Sequence, residues 1–381
     1  VTRLLIALAL LMPAPLFGAG PTFIDVFTPK ADGYKSVRIP ALVVTKAGTL
    51  LAFAEGRAAN TDQAKNKLLL KRSTDGGKSW GQLAVIADGG DRPLNNPCAV
   101  VDRKTGRVLL MFQSYPAGIA ERSPKLKTGH AGDAIVRNFL ITSDDDGKTW
   151  AKPRDVTAGT KRPTGATTNA CGPGVGIQLT DGPHAGRILI PFNEGPWGQW
   201  NVYAAISDDG GATWATGKNA PGGTDPDGKP GEPSTVNEVQ FVELAGGLVR
   251  LNARRWSGRA LRKTAVSTDG GVTWSAVEDV PELADPGCMA SMVRVSHAPS
   301  RILFSGPIST KRANGTVFLS TDEGKTWPTH RVLVAGPFAY SCLAGLPDGT
   351  VGCLYEADNY GAIRFARFTL DWLMAGDAKP K

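Results

Sequence analysis

Arg38, Arg57 and Asp62 bracket a short segment, VRIPALVVTKAGTLLAFAEGRAANTD, that gathers two cations and an acid at one end of a hairpin-like unit. Forked guanidiniums suit a planar anion, and a carboxylic acid beside them suits proton transfer. Other chemistries find less support. The four histidines, His130, His184, His297 and His330, are far apart and match no metal-ligand spacing. No serine triad is evident. Gly-Lys-Ser/Thr occurs three times, but the glycine that a phosphate loop needs five residues earlier is replaced by Arg72, Thr142 and Leu319. Chemistry is left to carboxylates, arginines and tyrosine.

The elements that must position these groups read as short strands. Ala41–Thr45 and Thr49–Ala54 are apolar runs around a Lys-Ala-Gly turn, the pattern of a tight hairpin. An octapeptide of pattern S-x-D-x-G-x-[ST]-W then recurs at Ser73, Ser143, Ser207, Ser267 and Ser320, ending in Trp80, Trp150, Trp214, Trp274 and Trp327. Asp and Ser/Thr cap backbone amides within such a turn, and Trp plugs it into a sheet. Successive starts differ by 70, 64, 60 and 53 residues, enough for four short strands each. The expectation is all-β: a six-bladed β-propeller of four-stranded antiparallel blades, closed by pairing Thr22–Phe27 with Ile363–Leu370. The 46 glycines and 27 prolines in 381 residues agree with a turn-rich fold.

Residues 1–20, with Arg3 before LLIALALLMPAPLF and a Gly-Ala-Gly end, read as a cleaved signal peptide too short for a stable membrane span. Residues 21–381 would form the propeller, working in a secreted or periplasmic setting. A net charge of +8 comes from scattered Lys and Arg with no nucleic-acid motif. Five cysteines are too sparse for a disulfide framework. A Cys342–Cys353 bridge and buried free thiols are both open readings. The segments Ser114–Asp133 and Thr216–Asn237 read as long loops that either shape a site or are surface insertions.

The motif order, from about residue 34 to 370, resembles the exo-α-sialidases that carry Asp-box repeats. The resemblance implies that Arg38 of R-I-P, Arg254 of Leu251-Asn252-Ala253-Arg254 and Arg312 before the last box grip the carboxylate of sialic acid. Asp62 would be the acid/base, kept protonated by burial or by neighbours. Arg57 would contact the sugar ring, with an Arg57–Glu55 surface pair as the alternative. Tyr340 of Tyr340-Ser341-Cys342-Leu343 would be the nucleophile and Glu238 of Asn237-Glu238-Val239-Gln240 its base, with Glu232 a weaker candidate. Glu356 of Leu354-Tyr355-Glu356 would brace Arg38. The segments at Cys171 and Asp285–Cys288 resemble loop and packing positions. Trp197, Trp200 and Trp256 are candidates for an acyl-amino pocket or for rim packing.

What the resemblance implies is a retaining exo-α-sialidase without metal or cofactor, acting as a monomer on sialylated glycans. The rival readings are a glycosidase for another 2-keto acid sugar and a non-catalytic glycan-binding propeller.

Overall fold

The computed structural model describes residues 20–222 and 236–376. The stretch up to residue 19 that reads as a signal peptide, Glu232 and most of the second long loop lie outside the described residues. The hairpin forms as expected: Ser36–Val44 pairs antiparallel with Leu50–Arg57 around the Thr45–Thr49 turn. Lys67–Ser73 and Ala84–Ala87 complete a four-stranded sheet.

Four further sheets follow. The second holds Leu94–Val101, Val108–Ser114, Arg137–Ser143 and Arg154–Asp155, with Gly174–Val175 added in parallel on Leu94–Val101. The third holds Thr168–Cys171, Ile188–Gly195, Asn201–Ser207 and Ala215–Thr216, with Ile177–Gln178 as a fifth strand. The fourth runs from Val236–Glu243 through Val249–Arg255 and Leu261–Ser267 to Glu278–Ala284. The last has seven strands, not four. Thr329–Gly345 is 17 residues long and pairs with Ala313–Ser320 along its first half and with Val351–Ala357 along its second. Thr22–Phe27 closes this sheet against Ala362–Phe368, with Thr22 opposite Arg367.

Early strands of successive sheets touch one another in a ring. Ser36–Val44 packs on Leu94–Val101 and on Thr329–Gly345, Ile188–Gly195 on Val236–Glu243, and Val236–Glu243 on Ser291–Ser296. The result is a β-propeller-like all-β fold, with apolar clusters filling the spaces between sheets.

Each octapeptide turn connects two neighbouring strands of one sheet. In the first, Ser73 Oγ donates to Asp75 Oδ1 (2.7 Å) and accepts from Gly77 N–H (2.9 Å), while Ser79 N–H donates to Asp75 Oδ1 (3.0 Å). The other four repeat this pattern. Trp80 meets Phe365 of the seven-stranded sheet edge-on, and Trp150 meets Phe53 of the first sheet. Gly77 has φ +85°, and a Cβ there would overlap the Phe365 ring, so only glycine lets the turn seat. All five cysteines are buried free thiols.

Candidate active site

The inner hairpins place polar groups at one end of the ring. The strands Leu50–Arg57, Val108–Ser114, Ile188–Gly195 and Val351–Ala357 are buried throughout and read as continuous apolar runs, as strands covered on both faces must. Each run ends in polar residues: Glu55 and Arg57, Gln113, Asn193 and Glu194, Glu356. The strand segment paired to each begins at that same end, and three of these segments bulge there, as does Val236–Glu243 of the fourth sheet. Register shifts fall at Arg38/Ala41, Asn95/Cys98, Val236/Val239 and Phe338/Ser341. A bulge re-aims the side chain beside it. These four stand beside Arg38, Asn96, Glu238 and Tyr340.

Two bulges share one construction. Ile39 (φ 64°) and Asn96 (φ 51°) lie in the left-handed region, which is strained for a β-branched isoleucine. The Ile39 N–H donates to Glu356 Oε1 at 3.0 Å, and the Asn96 N–H donates to Glu55 Oε1 at 2.7 Å. In each case a buried glutamate at the end of one second strand anchors the first strand of the next unit.

The groups so aimed line a cleft of about 340 Å³. Arg38 is held by both oxygens of Glu356, Nε–Oε1 at 2.6 Å and Nη2–Oε2 at 3.1 Å. Arg254 Nη1 donates to Glu238 Oε2 (2.7 Å) and to the Tyr340 hydroxyl (3.1 Å). That hydroxyl in turn donates to Glu238 Oε1 at 2.5 Å. Arg312 bonds the Tyr360 hydroxyl and the Gly287 carbonyl. Among the described residues it has no carboxylate partner. Three arginines facing two carboxylates leave one cation uncompensated, so the cluster is built for an incoming anion.

Burial disfavours charge on all three guanidiniums. Glu356 offsets this for Arg38, and Glu238 for Arg254. For Arg312 the neighbouring Tyr340, Cys288 and Tyr360 side chains do so, and each arginine ends above its ordinary value. Burial and then the Glu238 carboxylate push the Tyr340 phenol well above its ordinary value, while the arginines pull it back. A neutral phenol bonded to a carboxylate has an acceptor in place for its proton.

Asp62 lies at the mouth and differs from the sequence expectation. Its side chain is 69% exposed and accepts from Arg57 Nη1 at 2.8 Å, so the expected burial is absent from the open cleft. Its loop is nevertheless pinned, because Asn66 and Asn95 both donate to the Asp62 carbonyl at 2.6 Å. Arg57 and Glu55 form a buried pair, not a surface one. Glu55 is fully buried, and Arg57 Nε donates to its Oε2 at 2.8 Å.

Sequence reading missed several cleft residues. Glu121, on the first long loop, receives bonds from the Tyr115 and Thr168 hydroxyls, each at 3.0 Å. Burial pushes its carboxyl up to about 7, and the two hydroxyls pull it back only in part. Asn95, Gln113 and Asn193 also face the cleft. The apolar runs leading to polar ends were the signal that could have found Gln113 and Asn193. Trp197 and Trp256 line the mouth with their rings 5.2 Å apart, and Trp200 is buried behind them at ring distances of 5.5 and 5.6 Å. None of the four histidines reaches the cleft.

The BNR repeat-like domain matches residues 48–353. A sialidase of Micromonospora viridifaciens is 37% identical over 357 residues, covering 90% of this chain and 53% of that protein, so the chain spans about half its length. Sialidase-2 of Cricetulus griseus is 31% identical over 374 residues, covering 89% of this chain and 93% of that protein. The Hadza microbial sialidase Hz136 superposes with a TM-score of 0.81 at 27% identity, covering 92% of this chain and 69% of that one. The chain belongs to the exo-α-sialidase family.

Proposed function

We propose that the protein removes terminal α-linked sialic acid from glycans with retention, through a covalent tyrosyl intermediate. The observation that carries this reading is the contact set of Glu238, bonded at once to the Tyr340 hydroxyl and to Arg254 beside an uncompensated Arg312.

In this reading Arg38, Arg254 and Arg312 hold the sugar carboxylate. Tyr340 Oη attacks the anomeric carbon while its proton passes to Glu238. Asp62 gives its proton to the departing glycosidic oxygen. A water then attacks the same carbon, losing its proton to Asp62, and the tyrosyl oxygen recovers its own from Glu238. A phenol suits this carbon because the carbon also bears a carboxylate, which would repel an anionic Asp or Glu nucleophile. Substrate filling the open cleft would cover Asp62 and supply the burial it lacks when free. Arg57, fixed by Glu55, orients Asp62 and touches the ring.

The same reading divides the ring into six blades, Thr329–Gly345 serving two of them, with the added short strands as edges. It treats residues 1–20 as a leader that sends residues 21–381 out of the cytoplasm, to act as a monomer without metal or organic cofactor.

The test is fluorescence release from 4-methylumbelliferyl α-N-acetylneuraminide by wild type and Tyr340→Phe. Turnover that the variant loses supports the reading. No turnover by folded wild-type protein would move the weight to another 2-keto acid sugar or to binding alone.

A further inference from the structure

One aromatic side chain outside the cleft lining touches two arms of the anion clamp. Tyr360 stands in the turn between Val351–Ala357 and Ala362–Phe368, neighbouring strands of the seven-stranded sheet. The Arg38 guanidinium carbon lies 4.3 Å from its ring centre, and its hydroxyl accepts from Arg312 Nη1 at 3.0 Å. Tyr340 meets the same two guanidiniums at 5.3 and 5.2 Å from its own ring centre.

The turn that carries Tyr360 is strained. Asp358, Asn359 and Tyr360 have φ values of 52°, 53° and 71°, three successive non-glycine residues in the left-handed region. Aspartate and asparagine tolerate that region, whereas it is costly for a bulky tyrosine. The Gly361 N–H fixes the turn by donating to the Ala357 and Asp358 carbonyls, and Arg364 donates to Asp358 Oδ2 at 2.8 Å. Such strain persists where the surroundings hold it in place, and here it brings the Tyr360 ring over the clamp.

Two guanidiniums that converge on one carboxylate repel each other while the cleft is empty. Glu356 counters this for Arg38, whereas among the described residues Arg312 bonds only neutral groups, the Tyr360 hydroxyl and the Gly287 carbonyl. The Gly287 loop is itself pinned, because buried Asp285 accepts the Gly287 and Cys288 N–H groups. Tyr360 serves both arginines with one side chain. Its π face attracts Arg38, and its hydroxyl oxygen attracts Arg312. A clamp set before the anion arrives loses less freedom on binding.

Resting on the sialidase reading, we propose that Tyr360 is a positioning residue that presets Arg312, and with it the spacing of the anion clamp. The carboxylate is gripped in the bound substrate and in the transition state alike. Loss of this support therefore weakens binding and leaves turnover nearly unchanged.

The experiment compares Tyr360→Phe with wild type on the 4-methylumbelliferyl sialoside and repeats the substitution in an Arg312→Ala background. Tyr360→Phe keeps the ring over Arg38 and removes only the Arg312 bond. It is expected to raise KM about three- to tenfold, with kcat within about twofold of wild type. Affinity for 2-deoxy-2,3-didehydro-N-acetylneuraminic acid, read by the fluorescence of Trp197 and Trp256 at the mouth, should fall by the same factor. In the Arg312→Ala background the substitution should change that affinity by less than about twofold. An unchanged KM, a fall in kcat at unchanged KM, or an equal loss with and without Arg312 overturns this inference and leaves the sialidase reading standing. Wild-type protein that neither hydrolyses the sialoside nor binds the analogue overturns the sialidase reading itself. Where the Arg312→Ala background binds too weakly to measure, the split between KM and kcat decides.

Discussion

Glu356 and Arg38 stand 318 residues apart in sequence and are joined by a two-pronged ion pair, 2.6 and 3.1 Å long. The same carboxylate accepts the backbone N–H groups of Ile39 and Tyr340. One buried acid therefore fixes an arm of the anion clamp and the backbone of the proposed nucleophile together.

Glu356→Gln keeps the shape but loses the charge and one acceptor. It is expected to lower stability by about 1–3 kcal/mol in urea unfolding, and to raise KM for a sialoside about tenfold through a loosened Arg38. An unchanged KM would mean that Arg38 needs no brace.

Asp62→Ala separates general-acid catalysis from binding. An acid in this place accelerates departure of a poor leaving group by about 10²–10⁴-fold. The variant should slow sialyllactose hydrolysis by that order and slow a 4-methylumbelliferyl glycoside far less. Equal slowing of the two would remove Asp62 from the acid role.

Glu121 makes stability depend on pH. Its folded carboxyl titrates near 7 against an ordinary value of 4.5, because burial disfavours its anion. Between those values the folded state holds a proton that the unfolded state has released, so this group's contribution to stability falls as pH rises. Glu121→Gln has no such proton. Its stability relative to wild type should climb from pH 4.5 to pH 7 and level off above, as followed by thermal melts across that range. A flat difference would show that Glu121 is ionised throughout.

The motif-bearing residues were readable because each sits inside a short local pattern. Arg38, Glu238, Arg254, Tyr340 and Glu356 all face one cleft or support it, and the expected hairpin and ring-closing pairing are present. What was not readable depends on contacts between sheets. Glu121 of the second sheet's long loop takes its place only because the third sheet brings the Thr168 hydroxyl to it. The exposure of Asp62 depends on how far its loop extends over the mouth, which local sequence does not encode. The seven-stranded sheet arises because Thr329–Gly345 continues through Gly336 and Pro337, where a turn would otherwise be read.

The central claim is that Tyr340 bonds covalently to the sugar. Incubation with 2,3-difluorosialic acid followed by intact-mass and peptide-mapping measurements tests it directly. The account predicts a mass increase of one fluorosialyl group on the peptide containing Tyr340, absent from Tyr340→Phe. An adduct on Glu238, on Asp62 or on any other residue would contradict it, as would rapid turnover of natural sialosides with no adduct at all.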